Sequence, residues 1–169
     1  MTGFSNKTLP LIVALTIMLS SFTANEDIPE LNRKVIKYVD SVIGEQVETG
    51  ECWDLAAMAL ADAGAFLDRT SKATLYDFGE MVNPRKDVIY PGDIVQFENV
   101  ELQYKDGNAI VTESMSHHTA IVYEVIANGH YKLAHQNTSF SGRKVGVSEF
   151  KLENVVKGDL IFFRPIPDK

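Results

Sequence analysis

A chain of 169 residues with 45% hydrophobic content can bury one core but hardly two, so a single domain is expected. The formal charge of −7, with no run of Lys or Arg and no interleaving of basic with aromatic residues, argues against nucleic acid and anionic membrane surfaces as partners. One cysteine, Cys52, cannot form an internal disulfide, which leaves it as a small core residue or a free thiol kept for chemistry.

In chain order, Lys7 precedes the apolar run "LPLIVALTIMLSSF", and no acidic residue appears before Glu26. The run is short for a bilayer span and flanked by serines, so residues 1–24 read as a secretory signal and 25–169 as the mature domain. The expected destination is secreted or periplasmic, without membrane insertion once the signal is removed. Cleavage after Ala24 would place Phe22 where a small residue is preferred, so the cut site is open. Removal deletes Lys7 and no acid, which makes the mature chain one unit more negative.

Next, "DIPELNRKVIKYVDSVIG" spaces Ile28, Leu31, Val35, Tyr38, Val39 and Val42 for a helix that ends at Gly44. After a polar loop through Gly50, Leu55, Ala56, Met58, Ala59, Leu60 and Ala63 predict a second, largely buried helix stopped near Gly64. Cys52 stands at its start. From Ala65 to Pro91 the pattern is ambiguous, and "ATLYDFGEMV" reads as a short helix or a covering loop. Beyond it come β-type runs, "DIVQFENVEL", "AIVTES", "HTAIVYEVI", "HYKLAHQN", "RKVGVSEF" and "DLIFFRP", separated by turn signals such as Pro91-Gly92, Asp106-Gly107, Asn128-Gly129 and Ser141-Gly142. Helices followed by an antiparallel meander or half-barrel make the class α+β. Asp93 and Asp159, each after a glycine at a strand entrance, read as turn-satisfying carboxylates.

A thiol attacks a carbonyl as the thiolate, and a helix N-terminus with a nearby imidazole lowers its pKa. The sequence therefore predicts a thiol of lowered pKa at Cys52 and a basic partner among His117, His118, His130 and His135. Were Asn128-Gly129 a two-residue hairpin turn in strict register, His118 would face Ser139 and share a face with Leu133, His135 and Asn137, while His117 points the other way. Asn137 then lies diagonal to His118, and His135 one step further unless a bulge shifts the pairing. On this register Asn137 orients the imidazole of His118, and His135 contacts substrate or replaces Asn137. Gln46, six residues before Cys52, is a candidate oxyanion donor beside the Cys52 backbone N–H. Each assignment has a structural alternative: a packed core cysteine, a strand-start histidine, a turn-forming Asn137. His130, directly after the turn, reads as exposed.

"GECWDLA", then "HTAIV" with His118 66 positions after Cys52, then "HQN" with Asn137 nineteen positions after His118, resembles the CHAP family of cysteine- and histidine-dependent amidohydrolases/peptidases over about residues 46 to 164. The resemblance implies a papain-like fold, Cys52 as nucleophile, His118 as general base and Asn137 as the family's asparagine. The chain departs from the family in carrying His135 where a glutamate is usual, an arrangement similar to that of NlpC-type peptidases. It implies no cofactor, and no metal is expected, since Glu98, Glu101 and Glu113 stand outside any Asp-x-Asp-x-Asp-Gly loop. The expected function is an exported amidase or peptidase acting on peptidoglycan peptides. The alternative is a binding or effector domain of the same fold that holds another peptide.

Overall fold

The computed structural model describes residues 28–68 and 77–168. The apolar leader assigned to residues 1–24 lies outside them, as do residues 69–76 of the ambiguous stretch. Two helices, α1 (Glu30–Val42) and α2 (Cys52–Ala63), precede six strands: β1 (Glu80–Val82), β2 (Ile94–Asp106), β3 (Ala109–Ala127), β4 (His130–His135), β5 (Gly146–Lys151) and β6 (Val155–Arg164). The class is α+β. Among the described residues no helix is long and apolar enough to cross a membrane.

The strand order is β1-β6-β2-β3-β4-β5, with every pairing antiparallel. The chain therefore meanders from β2 to β5, as expected, but its last strand returns to lie between β1 and β2. That return sets "DIVQF" beside "DLIFF", with Ile94 opposite Phe163 and Phe97 opposite Leu160. The two runs "AIVTES" and "HTAIVYEVI" form one strand, β3, and residues 80–82 of "ATLYDFGEMV" form the short edge strand β1.

One face of the sheet packs Ile94, Ile121, Ala134 and Phe163 against Val35 and Val39 of α1 and Leu55, Ala56, Ala59 and Leu60 of α2. The other face closes around its own core of Val95, Phe97, Tyr131, Leu133, Phe150 and Phe162. A flat sheet would hold β2 and β5, three strand spacings apart, at roughly 14 Å. Yet the rings of Phe97 and Phe150 meet edge-on at 5.4 Å, and Tyr131 of β4 reaches Phe162 of β6 at 5.9 Å. The sheet is thus curled into a half-barrel, and Ala120, Ile121 and Val122 of β3 are buried on both of its faces.

The turn into β2 is pinned to α1. Gly92 has φ +89°, and a Cβ there would stand 2.5 Å from the Asn32 carbonyl oxygen. Asp93, fully buried, accepts from the Tyr90 amide at 2.9 Å, from Asn32 Nδ2 at 2.8 Å and from Arg164 Nη2 at 2.9 Å. Asp93 thus satisfies the turn amide predicted for it and adds an ion pair to β6.

Candidate active site

The start of α2 is built by its own side chains. Asp54, at the third helical position, turns its carboxylate back to accept from the Glu51 amide at 3.1 Å, the Thr49 amide at 3.0 Å and the Thr49 hydroxyl at 2.6 Å. These bonds satisfy donors that a helix N-terminus would otherwise leave open. Cys52 is the first residue of that turn, half-buried, and its sulfur lies against the backbone amide of Thr119 on β3. Burial pushes the Cys52 thiol up from the usual range. The amides of Thr119 and Trp53 oppose this, Glu51's charge adds to it, and Cys52's own amide pulls down. The lowered pKa predicted from the helix start alone is therefore corrected: here desolvation outweighs the amides.

His118 precedes Thr119 and packs its ring on Phe97 at 5.8 Å. Its Nε2 lies 2.9 Å from His135 Nδ1, and His135 Nε2 lies 2.9 Å from Ser148 Oγ on β5. Burial, with the charge of His117, lowers the His118 pKa to about 4, and burial with the charge of His118 lowers that of His135 to about 3. Both rings are neutral at neutral pH, so His118 lends the thiol no positive charge at rest.

The strict hairpin register is corrected. Ala127 pairs with His130 as the turn demands, but Val125 pairs with Tyr131 and Val122 with Leu133. β3 carries one extra residue at each slip, Ile126 and then Tyr123. One slip would have turned His118 to the opposite face; two restore the face and bring His135 two residues closer. Asn137 is displaced from the diagonal position expected of it. It adopts φ +61° and donates from Nδ2 to Glu51 Oε2 at 3.0 Å. Glu51 also pairs with Arg143 at 3.1 Å.

His117 does face away, toward Glu98 Oε1 at 2.8 Å and the Gln96 side-chain amide at 3.1 Å. Gln96 in turn accepts from the Thr119 hydroxyl at 2.7 Å. His130 is partly covered and lies 3.3 Å from Glu149. Gln46 is exposed and donates to the Glu48 carbonyl at 3.1 Å, so its amide serves its own loop. Two residues in the neighbourhood escaped the sequence reading. Ser148 lies in an ordinary alternating strand, and Gln136 is hidden between two residues chosen for their chemistry. The even spacing of Ser148 from Phe150 on the inner face was the signal available.

His118, His135, Asn137, Phe140, Ser148 and Phe150 line a groove of about 870 Å³ on the inner side of the half-barrel. Phe140, 54% exposed, stands with its ring 5.3 Å from that of His135. Cys52 lies outside this lining. Among the described residues no cluster of His, Cys, Asp and Glu has the geometry to hold a metal ion.

Against known proteins, the family model described as AIM3/BBC1 Cysteine proteinase-fold domain matches residues 29–169. A curated relative, Altered inheritance of mitochondria protein 3 of Debaryomyces hansenii, is 27% identical over 167 residues, covering 86% of this chain and 17% of its own length. Among solved structures, NlpC2 from Trichomonas vaginalis overlaps with a TM-score of 0.48 at 17% identity, over 83% of this chain and 49% of that one. Ly7917 overlaps with a TM-score of 0.45 at 19% identity, over 78% and 62% respectively. The chain thus spans less than two thirds of each of these proteins. The resemblance to CHAP proteins holds at the coarser level of the cysteine proteinase fold.

Proposed function

Since this chain belongs to the AIM3/BBC1 cysteine proteinase-fold domain family, we propose that it hydrolyses peptide amide bonds through Cys52. The observation that carries the reading is the line His118–His135–Ser148, anchored at 2.9 Å twice, beside the Thr119 amide that touches the thiol. His118 is the base. To accept the thiol proton at Nδ1 it must carry its own proton on Nε2 and donate it to His135 Nδ1; His135 then holds its proton on Nε2 and donates to Ser148 Oγ. One hydrogen-bond direction along the line thus selects the basic tautomer. The thiolate attacks the carbonyl carbon, and His118 returns the proton to the leaving amine. Water, deprotonated by His118, then cleaves the thioester to a carboxylate and the free thiol. In this assignment His135 orients the base, and Asn137 acts through Glu51 at the nucleophile loop.

The test is release of amines from peptides by the purified chain, with peptidoglycan stem peptides and unmodified protein peptides as separate arms. Cys52→Ala and His118→Ala should each lower the rate by about 10³-fold or more. A second reading, a peptide-binding domain, draws on two observations: burial holds the proton on Cys52, and the groove is lined without it. No amine release by the wild-type chain, with peptide bound equally by wild type and Cys52→Ala, would decide for binding.

A further inference from the structure

His135, Gln136 and Asn137 leave the end of β4 and lie across the approach to α2. Their side chains divide: His135 bonds the base, Asn137 bonds the Glu51 carboxylate, and Gln136 turns inward. Gln136 is fully buried. Its Oε1 accepts from the Val47 amide at 3.1 Å, while its Nε2 donates to the Val47 carbonyl at 3.0 Å and the Glu51 carbonyl at 2.8 Å. Both amide hydrogens and one lone pair are therefore used.

The last of these bonds matters chemically. The Glu51 carbonyl belongs to the peptide group whose nitrogen is that of Cys52, so the bond fixes the plane of that peptide. The plane sets where the Cys52 N–H points and how Cα carries the sulfur toward Thr119. The same Glu51 oxygen accepts the first helical bond, from the Asp54 amide at 3.1 Å.

We infer that Gln136 is a positioning residue for the nucleophile, holding the Glu51–Cys52 peptide at a set distance from the histidine that its neighbour His135 orients. The inference rests on the reading of Cys52 as nucleophile given above. One tripeptide then fixes both reacting partners: a shift of β4 moves base and nucleophile together. A residue that merely glued the loop would contribute stability without altering the chemistry of the thiol.

The experiment uses the full chain with Gln136→Met, which keeps the volume without the bonds, and Gln136→Glu, which loses both donors when ionised. Thermal unfolding, the pH profile of Cys52 alkylation by iodoacetamide, and kcat and KM on a peptide amide are measured for each. Gln136→Met should lower kcat by about 100-fold with KM within about threefold, and shift the alkylation profile. Gln136→Glu should match it at about pH 8 and recover toward wild type near pH 5.5, where a buried, protonated carboxyl again donates one hydrogen bond. His118, with a pKa of about 4, remains neutral there.

A Gln136→Met protein that is less stable but keeps wild-type kcat and alkylation would overturn the inference. If that variant fails to fold, an absent acid recovery in Gln136→Glu overturns it instead. Failure of the underlying reading shows separately, as hydrolysis that survives Cys52→Ala. The alkylation arm needs no substrate and still reports on Gln136.

Discussion

A histidine that ordinarily titrates near 6.5 is here neutral down to about 4, because the fold takes water away from it. For the proposed chemistry, the free protein should keep its base available in mild acid. The acid limb of kcat/KM, which reports groups of the free enzyme, should fall near pH 4 and not near 6.5. A limb near 6.5 would mean that another group supplies the base. Alkylation of Cys52 in the resting protein should, in turn, begin above the range of an ordinary free thiol, since burial raises that thiol. The orienting role separates two residues that the sequence ranked the other way. His135→Ala removes the partner 2.9 Å from His118 and should cost about 100-fold in kcat. Asn137→Ala removes only an exposed bond to Glu51 and should cost less than about fivefold. Equal losses in the two variants would return Asn137 to the orienting position.

Among the elements, the two helices were legible to within a few residues because their signals are local: apolar spacing, with Gly44 and Gly64 as stops. The turn at Asn128-Gly129 was legible for the same reason. The two slips in β3 were not, since nothing in "YEVIA" marks Tyr123 or Ile126 as the residue left out of the pairing. They show only in the pairing: β4 pairs with β5 in unbroken register, whereas the pairing of β3 with β2 ends at Ile121, before either slip. The order of the sheet is equally non-local, and no feature of "KGDLIFF" says that it returns beside β2. The cap of α2 offers a direct test at this scale. Asp54 is nearly buried and accepts three bonds, so Asp54→Ala should lower stability by about 2 kcal/mol through the lost cap and the stranded Thr49 and Glu51 donors. Urea titration would read it. Asp54→Asn, which keeps an acceptor, should restore part of the loss.

For the whole molecule, the same desolvation that tunes the site makes stability depend on pH. An unfolded histidine takes its proton at about 6.5, whereas folded His118 does so only at about 4 and His135 at about 3. Between those values the unfolded chain binds more protons, so acid draws the equilibrium toward unfolding. The stability is fully present above about 6.5 and is lost as pH falls toward 4, with His118 alone accounting for about 2 kcal/mol by pH 5. Asp93 works in the opposite sense. Burial raises its pKa above 3.8 despite Arg164, the Tyr90 amide and Asn32, so protonation relieves it and softens the loss at the acid end. Urea midpoints at pH 7 and pH 5 would therefore differ for the wild-type chain and converge for the double variant His118→Gln, His135→Gln, which cannot titrate there. A double variant that keeps the wild-type slope would place the acid sensitivity elsewhere and remove the neutral, buried histidine pair as its source.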